Sequence, residues 1–141
     1  MDIRFVEESD HGFWFSLDRH LSEEEFLRKV RDQTGYVLTA EAQPIGILRW
    51  SLFWDSIPFC NLLYVKDGQQ RKGYGRKLME QWETDMLVRG YDLVMTSTQV
   101  DEDGQHFYRS LGYRDCGGFL LPFPGYEQPM EIIMAKPLRV R

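Results

Sequence analysis

A glycine-bearing turn joins an apolar segment to a helical pattern near the middle of the chain. The apolar segment covers residues 62–65, the helical pattern begins at residue 76, and the turn reads Gln70-Arg71-Lys72-Gly73-Tyr74-Gly75. The first N–H groups of a helix have no partner within the helix, and the helix dipole adds about half a positive charge there. Glycines 73 and 75 remove Cβ from the path of an anion and permit backbone angles that other residues resist. A strand, a glycine turn and a helix in this order predict a phosphate-binding site.

Two common nucleotide-binding motifs do not fit this turn. A P-loop requires Lys followed by Ser or Thr after its last glycine. Gly68 and Gly73 have the P-loop separation, but Tyr74 and Gly75 follow them. A dinucleotide fingerprint requires a third glycine three residues after the second, and Leu78 occupies that position. The ligand is therefore a phosphate compound of another kind.

Two segments in order resemble the signatures of the GNAT acetyltransferase family. The spacing Gln70-x-x-Gly73-x-Gly75, preceded by Val65, is similar to the loop with which the family binds the pyrophosphate of acetyl-CoA. Further along, Phe107-Tyr108-Arg109-Ser110-Leu111-Gly112-Tyr113 resembles the family's second signature, a Phe-Tyr pair followed by Leu-Gly and an aromatic residue. The resemblance implies that acetyl-CoA is the co-substrate.

The resemblance also implies which residues contact acetyl-CoA. In the family the strand before the loop separates from its parallel neighbour, and the pantetheine arm bonds to its main chain, here Leu63, Tyr64 and Val65. The pyrophosphate would accept hydrogen bonds from the loop residues Arg71, Lys72, Gly73, Tyr74, Gly75 and Arg76, and Gln70 belongs to the same signature. For the side chains of Arg71, Lys72 and Arg76 two interpretations remain: solvated basic residues around a turn, or groups that meet the phosphates of the CoA nucleotide.

Tyr108 is the residue that the resemblance assigns to chemistry. In the family this tyrosine faces the thioester sulfur and acts as the general acid for the departing thiolate. Reference pKa values of about 10 for Tyr and about 8.5 for a thiol make complete proton transfer unfavourable by roughly 2 kcal/mol. A hydrogen bond that strengthens as charge develops is the second role considered. Alternatively, Phe107 and Tyr108 are simply core aromatic residues.

A base for the acceptor amine is harder to assign. Some family members place a Glu on the strand before the loop, but residues 59–65 contain no acid. Asp55, in the turn Trp54-Asp55-Ser56, is the candidate base. The alternatives are that Glu102 acts as the base through a water molecule, or that solvent alone takes the proton. Where many members have Asn and then Ala before the Phe-Tyr pair, this chain has Asp101 and Gly104. An ionised carboxylate cannot donate the hydrogen bond that Asn would donate, so that contact is not carried over.

Composition limits the classes of function. The 141 residues suit a single domain spanning 1–141, and the formal net charge of −5 disfavours nucleic acid and anionic membranes as partners. Two cysteines, Cys60 and Cys116, and three scattered histidines indicate neither a disulfide framework nor a metal site. We expect no signal peptide, because the first residues have neither its charge nor its apolar length, and no apolar run approaches 18 residues. A cytoplasmic location is expected.

The predicted elements alternate between strands and helices. Strands are expected over residues 3–6, 36–40, 45–53, 59–65, 91–98, 113–121 and 130–136, with a turn at Gln43-Pro44. Helices are expected over residues 10–20, 22–31, 76–88 and 105–111, the second of them capped by Ser22. The fold class predicted is α/β: a mixed, mostly antiparallel, twisted sheet of about seven strands with helices on both faces and a central βαβ acetyl-CoA cradle, as in the GNAT fold.

These inferences favour an enzyme that moves an acetyl group from acetyl-CoA directly to a primary amine of a small molecule or protein. The alternative is a non-catalytic acyl-CoA-binding or sensor domain that kept the loop and lost turnover. A third interpretation is a structural or interaction protein whose sheet edge near residues 130–134 pairs in a homodimer, which is compatible with the enzyme. The sequence does not identify the acceptor.

Overall fold

A computed structural model describes residues 1–139, which form seven strands and four α-helices. The strands are β1 (Asp2–Phe5), β2 (Gly35–Ala40), β3 (Gln43–Phe53), β4 (Ile57–Val65), β5 (Leu93–Gln99), β6 (Arg114–Phe119) and β7 (Glu131–Pro137). The helices are α1 (His11–Leu17), α2 (Glu23–Asp32), α3 (Tyr74–Val88) and α4 (Gly104–Ser110), and a 3-10 turn, Glu8–Asp10, precedes α1. The predicted mixed α/β fold with about seven strands is confirmed.

The strands form a single sheet in the order β1-β2-β3-β4-β5-β7-β6. β1 with β2, β2 with β3, β5 with β7 and β6 with β7 are antiparallel pairs. β4 and β5 are parallel, with Phe59 opposite Met95 and Cys60 opposite Thr96. Because α3 connects these two parallel strands, the predicted central βαβ unit is present.

The described chain divides into two compact units. Unit 1 contains Met1–Ser51 and Asn61–Asp85; unit 2 contains Leu52–Cys60 and the chain from Met86 onward. β3 and β4 contribute residues to both units. In unit 1 the core below α1 and α2 contains Val6, Trp14, Phe26, Val37 and Ile47.

The opposite face of the sheet in unit 1 is covered by α3. The hydroxyl of Tyr36 on β2 donates to Asp85 Oδ2 of α3 at 2.7 Å. A Cβ at Gly46 of β3 would lie only 3.1 Å from Leu78 Cδ1 of α3, so the glycine permits a close approach. Helices therefore lie on both faces of the sheet in this unit, as predicted.

In unit 2, α4 packs against one face of the strands. Thr96 and Thr98 of β5 and Ile132 and Met134 of β7 are buried on that face. Residues that alternate with them, such as Ser97 and Ile133, are only half-buried. β6 is exposed along its whole length.

A buried carboxylate determines where α1 ends. Asp18 accepts hydrogen bonds from Trp14 Nε1 at 3.1 Å, from His20 N at 3.1 Å and from Leu21 N at 3.3 Å, and its Oδ2 pairs with Arg49 Nε at 2.8 Å. Aspartate that bonds to nearby backbone N–H groups competes with the helical pattern. The prediction of a helix over residues 10–20 was therefore too long, since α1 ends at Leu17.

The turn before β3 also differs from its prediction. Glu41 and Ala42 both have left-handed φ angles, 54° and 64°, which is the backbone of a two-residue type I′ hairpin. Pro44 lies within β3 opposite Thr39, beside a register shift that disrupts the regular pairing. The turn is thus at residues 41–42, and the prediction of a turn at Gln43-Pro44 was wrong.

The start of α2 agrees with its prediction. Ser22 is the N-cap, and its Oγ accepts a hydrogen bond from Glu25 N at 3.1 Å. Leu21, just before the cap, packs against the cluster that contains Phe26. An N-cap serine and an apolar residue before it are the local signals that predicted the start of α2.

Candidate active site

The loop between β4 and α3 is held closed by hydrogen bonds at the end of the strand. Gln70 Nε2 donates to Val65 O at 3.1 Å, and Lys66 N donates to Ile45 O at 2.7 Å. The Gln70 side chain therefore fixes the loop to the end of β4. One N–H of the Gln70 amide is thus engaged within the protein.

Three residues of the loop have a left-handed backbone. Gly68 has φ +86°, Arg71 has φ +64° and Gly73 has φ +85°. Left-handed residues beside helical ones turn successive N–H groups towards one point, as in anion-binding nests. Gly75, by contrast, lies in the first turn of α3. The prediction that Gly75 needs unusual backbone angles was wrong, because a helical backbone suits any residue.

The N–H groups at the start of α3 are available to a ligand. The first α-helical hydrogen bond runs from Lys77 N to Gly73 O, at 3.1 Å. Within the described residues, the N–H groups of Tyr74, Gly75 and Arg76 donate to no other group of the chain. These donors carry the positive end of the α3 dipole, which attracts anions.

Basic side chains surround these donors. Arg71, Lys72 and Arg76 are exposed. Lys72 Nζ lies 3.3 Å from Gln69 Oε1, and Arg76 Nη1 lies 3.7 Å from Glu80 Oε1. Solvent-exposed contacts of this kind contribute little to stability. The two side chains are therefore free to turn towards phosphate at little energetic cost.

The last five residues of β4 form an open surface, although β4 is an inner strand of the sheet. Leu63, Tyr64 and Val65 are half-buried, and Asn61 is exposed. Inner strands are normally covered on both faces when helices flank the sheet. The three residues that the sequence assigned to cofactor binding thus lie on an accessible part of the strand.

The side-chain alternation of β4 is irregular at Asn61. Its Nδ2 donates to Ser51 Oγ at 2.7 Å, and Ser51 shares a face of β3 with Ile47 by alternation. The next residue, Leu62, packs against the cluster that contains Ile47. The contacts of Asn61 and Leu62 therefore do not follow simple alternation along both strands.

Tyr108 lies on α4 and is buried, with 8% of its surface exposed. Its phenol lies beside the Thr96 hydroxyl, and Thr96 Oγ1 donates to Cys60 O at 3.1 Å. Tyr108 therefore lies against the hydrogen bond that joins the paired residues of β5 and β4.

The surroundings of Tyr108 make its phenol a weak acid. Burial is the main cause that raises its pKa well above the ordinary value, and the neighbouring Cys60, Glu102 and Glu131 raise the pKa further. The Thr96 hydroxyl opposes this change but does not reverse it. A phenol with a raised pKa donates a hydrogen bond more readily than it gives up its proton. Of the two roles considered for Tyr108, hydrogen-bond donation is favoured.

Asp55 lies at the tip of the hairpin between β3 and β4. Trp54 and Asp55 have φ angles of 54° and 57°, typical of a type I′ turn, and 77% of the Trp54 surface is exposed. Asp55 is also exposed and forms no hydrogen bond or ion pair with residues 1–139. The carboxylate is open to solvent.

The segment before α4 explains one departure from the family signature. A Cβ at Gly104 would lie 2.9 Å from Thr98 Oγ1, closer than real Cβ contacts. Glycine at this position therefore lets α4 approach β5. Glu102 Oε1 accepts a hydrogen bond from Gln99 N at 3.1 Å, while Asp101 is exposed.

The family is shown by comparison with known proteins. A profile described as "Acetyltransferase (GNAT) domain" matches residues 31–115, which is more than half of the chain. The chain therefore belongs to the GNAT acetyltransferase family. No curated protein matches the sequence at a significant level.

Solved structures share the fold at low sequence identity. The ribosomal-protein-S18-alanine N-acetyltransferase of Escherichia coli has a TM-score of 0.82 and 20% identity, over 99% of this chain and 95% of that chain. Ard1 of Thermoplasma volcanium has a TM-score of 0.85 and 15% identity, over 99% and 98%. A GNAT acetyltransferase of Elizabethkingia anophelis, solved with acetyl-CoA bound, has a TM-score of 0.74 and 15% identity, over 96% and 97%.

The described residues also bear on membrane spans and metal binding. None of the helices within residues 1–139 combines the length and the apolar character needed to cross a bilayer. The same residues contain no group of three or more His, Cys, Asp or Glu side chains placed to hold a metal ion.

Proposed function

We propose that the protein transfers an acetyl group from acetyl-CoA directly to a primary amine, and that residues 1–141 form one acetyltransferase domain. Family membership supports acetyl transfer as the reaction. The observation that carries the proposal is the set of unused N–H donors at Tyr74, Gly75 and Arg76, at the positive end of α3. A pyrophosphate satisfies several such donors at once, without requiring a bound metal.

Each part of acetyl-CoA has a proposed partner in the chain. The pyrophosphate binds the loop N–H groups, with Arg71, Lys72 and Arg76 free to contact the phosphates of the nucleotide. The pantetheine arm bonds to the main chain of β4 at Leu63, Tyr64 and Val65, beyond the residues of β4 that pair with β5. The Tyr108 hydroxyl donates a hydrogen bond to the sulfur as negative charge develops there.

Thiol release across a panel of primary amines tests the proposal. Acetyl-CoA incubated with the protein and a suitable amine should release free CoA. Mass spectrometry should find the amine about 42 Da heavier, which is the mass of an acetyl group less the hydrogen that it replaces. Tight binding of acetyl-CoA without turnover on any amine would instead favour the sensor domain. The absence of an acid from β4 is the observation that favours this second candidate.

Gly73→Ala should weaken CoA binding about tenfold, because the left-handed backbone at φ +85° is unfavourable for alanine by about 1–2 kcal/mol. Space is not the limiting factor, since an added Cβ at Gly73 meets no atom within 4 Å. Calorimetric titration with CoA measures the change.

Gly68→Ala is the matched control for Gly73→Ala. Gly68 also has a left-handed backbone, with φ +86°, and open space around its Cβ position. The two variants therefore carry similar strain, but Gly68 lies earlier in the loop. Equal losses of CoA affinity in both variants would attribute the effect to strain and would contradict a phosphate site at Gly73.

Asp55→Asn should lower kcat by less than about tenfold. An exposed carboxylate can take the ammonium proton only through water, and a base held in direct contact typically contributes more than about a hundredfold. Asparagine tolerates the left-handed backbone of this turn, so the variant changes the charge without new strain. Steady-state kinetics with a saturating amine checks the effect. A loss above a hundredfold would show that Asp55 reaches the amine directly.

A further inference from the structure

One face of unit 2 presents a carboxylate beside apolar side chains. Glu131 at the start of β7 lies opposite Gln99 of β5 and Phe119 of β6. Side chains of directly paired residues point to the same face of a sheet. The neighbouring pair, Thr98 and Ile132, is buried on the α4 face. Gln99, Glu131 and Phe119 therefore lie on the face away from α4.

This face is accessible. Gln99 and Glu131 are half-buried, and 44% of the Phe119 surface is exposed. Next to Glu131 on the same face lies Ile133, whose partner on β6 is Gly117. Because glycine has no side chain, β6 leaves Ile133 uncovered. The result is a shallow apolar surface with one carboxylate at its edge.

The Glu131 carboxylate has unfilled acceptor sites for a cation. Its Oε1 accepts a hydrogen bond from Gln128 Nε2 at 2.9 Å. Among residues 1–139, no lysine or arginine lies within ion-pair distance of this carboxylate. A half-buried carboxylate that accepts from a neutral amide retains unfilled acceptor sites. A ligand ammonium group would supply the missing positive charge.

Glu131 lies near Tyr108, the residue proposed to donate a hydrogen bond to the thioester sulfur. The pKa of Tyr108 is raised first by burial, and the charge of Glu131 is one of the further causes. Carboxylates act on a phenol in this way only when they lie within the range of direct electrostatic interaction. The strand register agrees with this, because Glu131 pairs with Gln99, three residues along β5 from Thr96, although the Glu131 and Tyr108 side chains come from opposite faces of the sheet.

We propose that Glu131 binds the ammonium form of the acceptor amine while Phe119 and Ile133 contact its carbon skeleton. The inference rests on the proposed acetyl-transfer function and narrows the acceptor class. Preferred acceptors are primary amines that carry an apolar or aromatic group and no carboxylate near the nitrogen. A charge-assisted hydrogen bond favours the ammonium, and an acceptor carboxylate would be repelled by Glu131.

Phenethylamine and phenylalanine are suitable probes, because they share one skeleton and differ by the α-carboxylate. Calorimetric titrations into wild-type protein, with and without saturating CoA, should show phenethylamine binding at least about tenfold more tightly than phenylalanine. Glu131→Gln should weaken phenethylamine binding about tenfold and narrow the difference between the probes. This variant keeps the shape of the side chain and its hydrogen-bond acceptor for Gln128.

Glu127→Gln is the matched control, since it removes the same charge from the segment between β6 and β7. Glu127 Oε2 accepts from Gly125 N at 3.1 Å, a bond that glutamine can also accept. Phenethylamine affinity should be unchanged in this variant. Urea unfolding of all three proteins verifies that the folded state is retained.

The possible results separate this inference from the proposed function. Equal phenethylamine affinity in wild type and Glu131→Gln, or no preference of the wild type for phenethylamine over phenylalanine, overturns the role of Glu131. Undetectable binding of phenethylamine to the wild type overturns it as well. A lack of CoA binding contradicts acetyl transfer instead, and the titrations without CoA still decide whether Glu131 binds the amine.

Discussion

Tyr108→Phe is expected to lower kcat about a hundredfold while changing the KM for acetyl-CoA by less than about threefold. The hydroxyl donates to sulfur most strongly when thiolate charge develops, so its loss affects the transition state more than the bound substrate. The phenol is buried against Thr96, which holds it in a defined position. Steady-state kinetics gives kcat and KM, and rapid-quench experiments establish that acetyl transfer limits turnover.

Tyr113→Phe is the matched control for this variant. Tyr113 is also buried, and its ring lies 5.7 Å from the Tyr108 ring in an edge-to-face arrangement. The same hydroxyl is thus removed from a neighbouring ring of similar burial. We expect kcat to change by less than about threefold in this control, because no step of the proposed reaction uses Tyr113. An unchanged kcat in Tyr108→Phe, with acetyl transfer limiting, would reject the role of Tyr108.

Asp18→Ala should reduce the free energy of unfolding by about 3–5 kcal/mol. The carboxylate is fully buried and pairs with Arg49, which is itself only 13% exposed. Its removal leaves a nearly buried guanidinium without its counter-charge and takes the acceptor from Trp14 Nε1. Urea unfolding monitored by tryptophan fluorescence measures the loss.

Asp32→Ala supplies the comparison for an exposed pair. Asp32 pairs with Arg31 at 2.9 Å, and both side chains are at least half exposed to solvent. Water screens such a pair, so the unfolding midpoint should stay close to that of the wild type. Equal midpoints for Asp18→Ala and the wild type would show that the buried pair contributes nothing to stability.

The effect of Asp18 should depend on pH. Burial alone would raise the pKa of Asp18, but the hydrogen bond and charge of Arg49, with help from His20 N and Trp14, lower the pKa below its ordinary value. A carboxylate with a lowered folded-state pKa stabilises the protein above its unfolded value, about 3.9, and loses that contribution as pH falls through the folded value. The stability difference between wild type and Asp18→Ala should therefore shrink in acid below pH of about 4.

Local signals in the sequence were sufficient to predict most elements and the position of the glycine turn. Ser22 caps α2 as expected, and the glycine turn lies between β4 and α3. These features depend on residues close together in the chain, where capping and turn preferences act directly. Trp54 and Asp55 were likewise placed in a turn, and the structure finds them at a hairpin tip.

Features built from distant residues could not be predicted in the same way. Thr96 reaches Cys60 across 36 positions, and Arg49 reaches Asp18 across 31. No spacing rule connects residues so far apart, because their contact depends on the order of strands in the sheet. The role proposed for Glu131 could not be predicted for the same reason, since its neighbours come from β5 and β6.

Unusual backbone geometry also caused errors in the structure predicted from the sequence. Glu41 and Ala42 adopt a left-handed turn that neither residue type favours, so the proline two positions later was taken as the turn signal. The pattern of apolar residues in β4 likewise does not predict the irregular alternation at Asn61. Gly104 appeared only as a departure from the family signature, and its reason is the close approach of Thr98.

Calorimetric titration with acetyl-CoA tests the central proposal most directly, because every proposed role in the site depends on that ligand. The loop donors at the start of α3 predict saturable binding with one acetyl-CoA per chain, weakened about tenfold in Gly73→Ala but less in Gly68→Ala. Binding should also weaken as salt concentration rises, since Arg71, Lys72 and Arg76 are exposed to screening. The absence of any binding heat with acetyl-CoA, at several temperatures, would contradict the proposal.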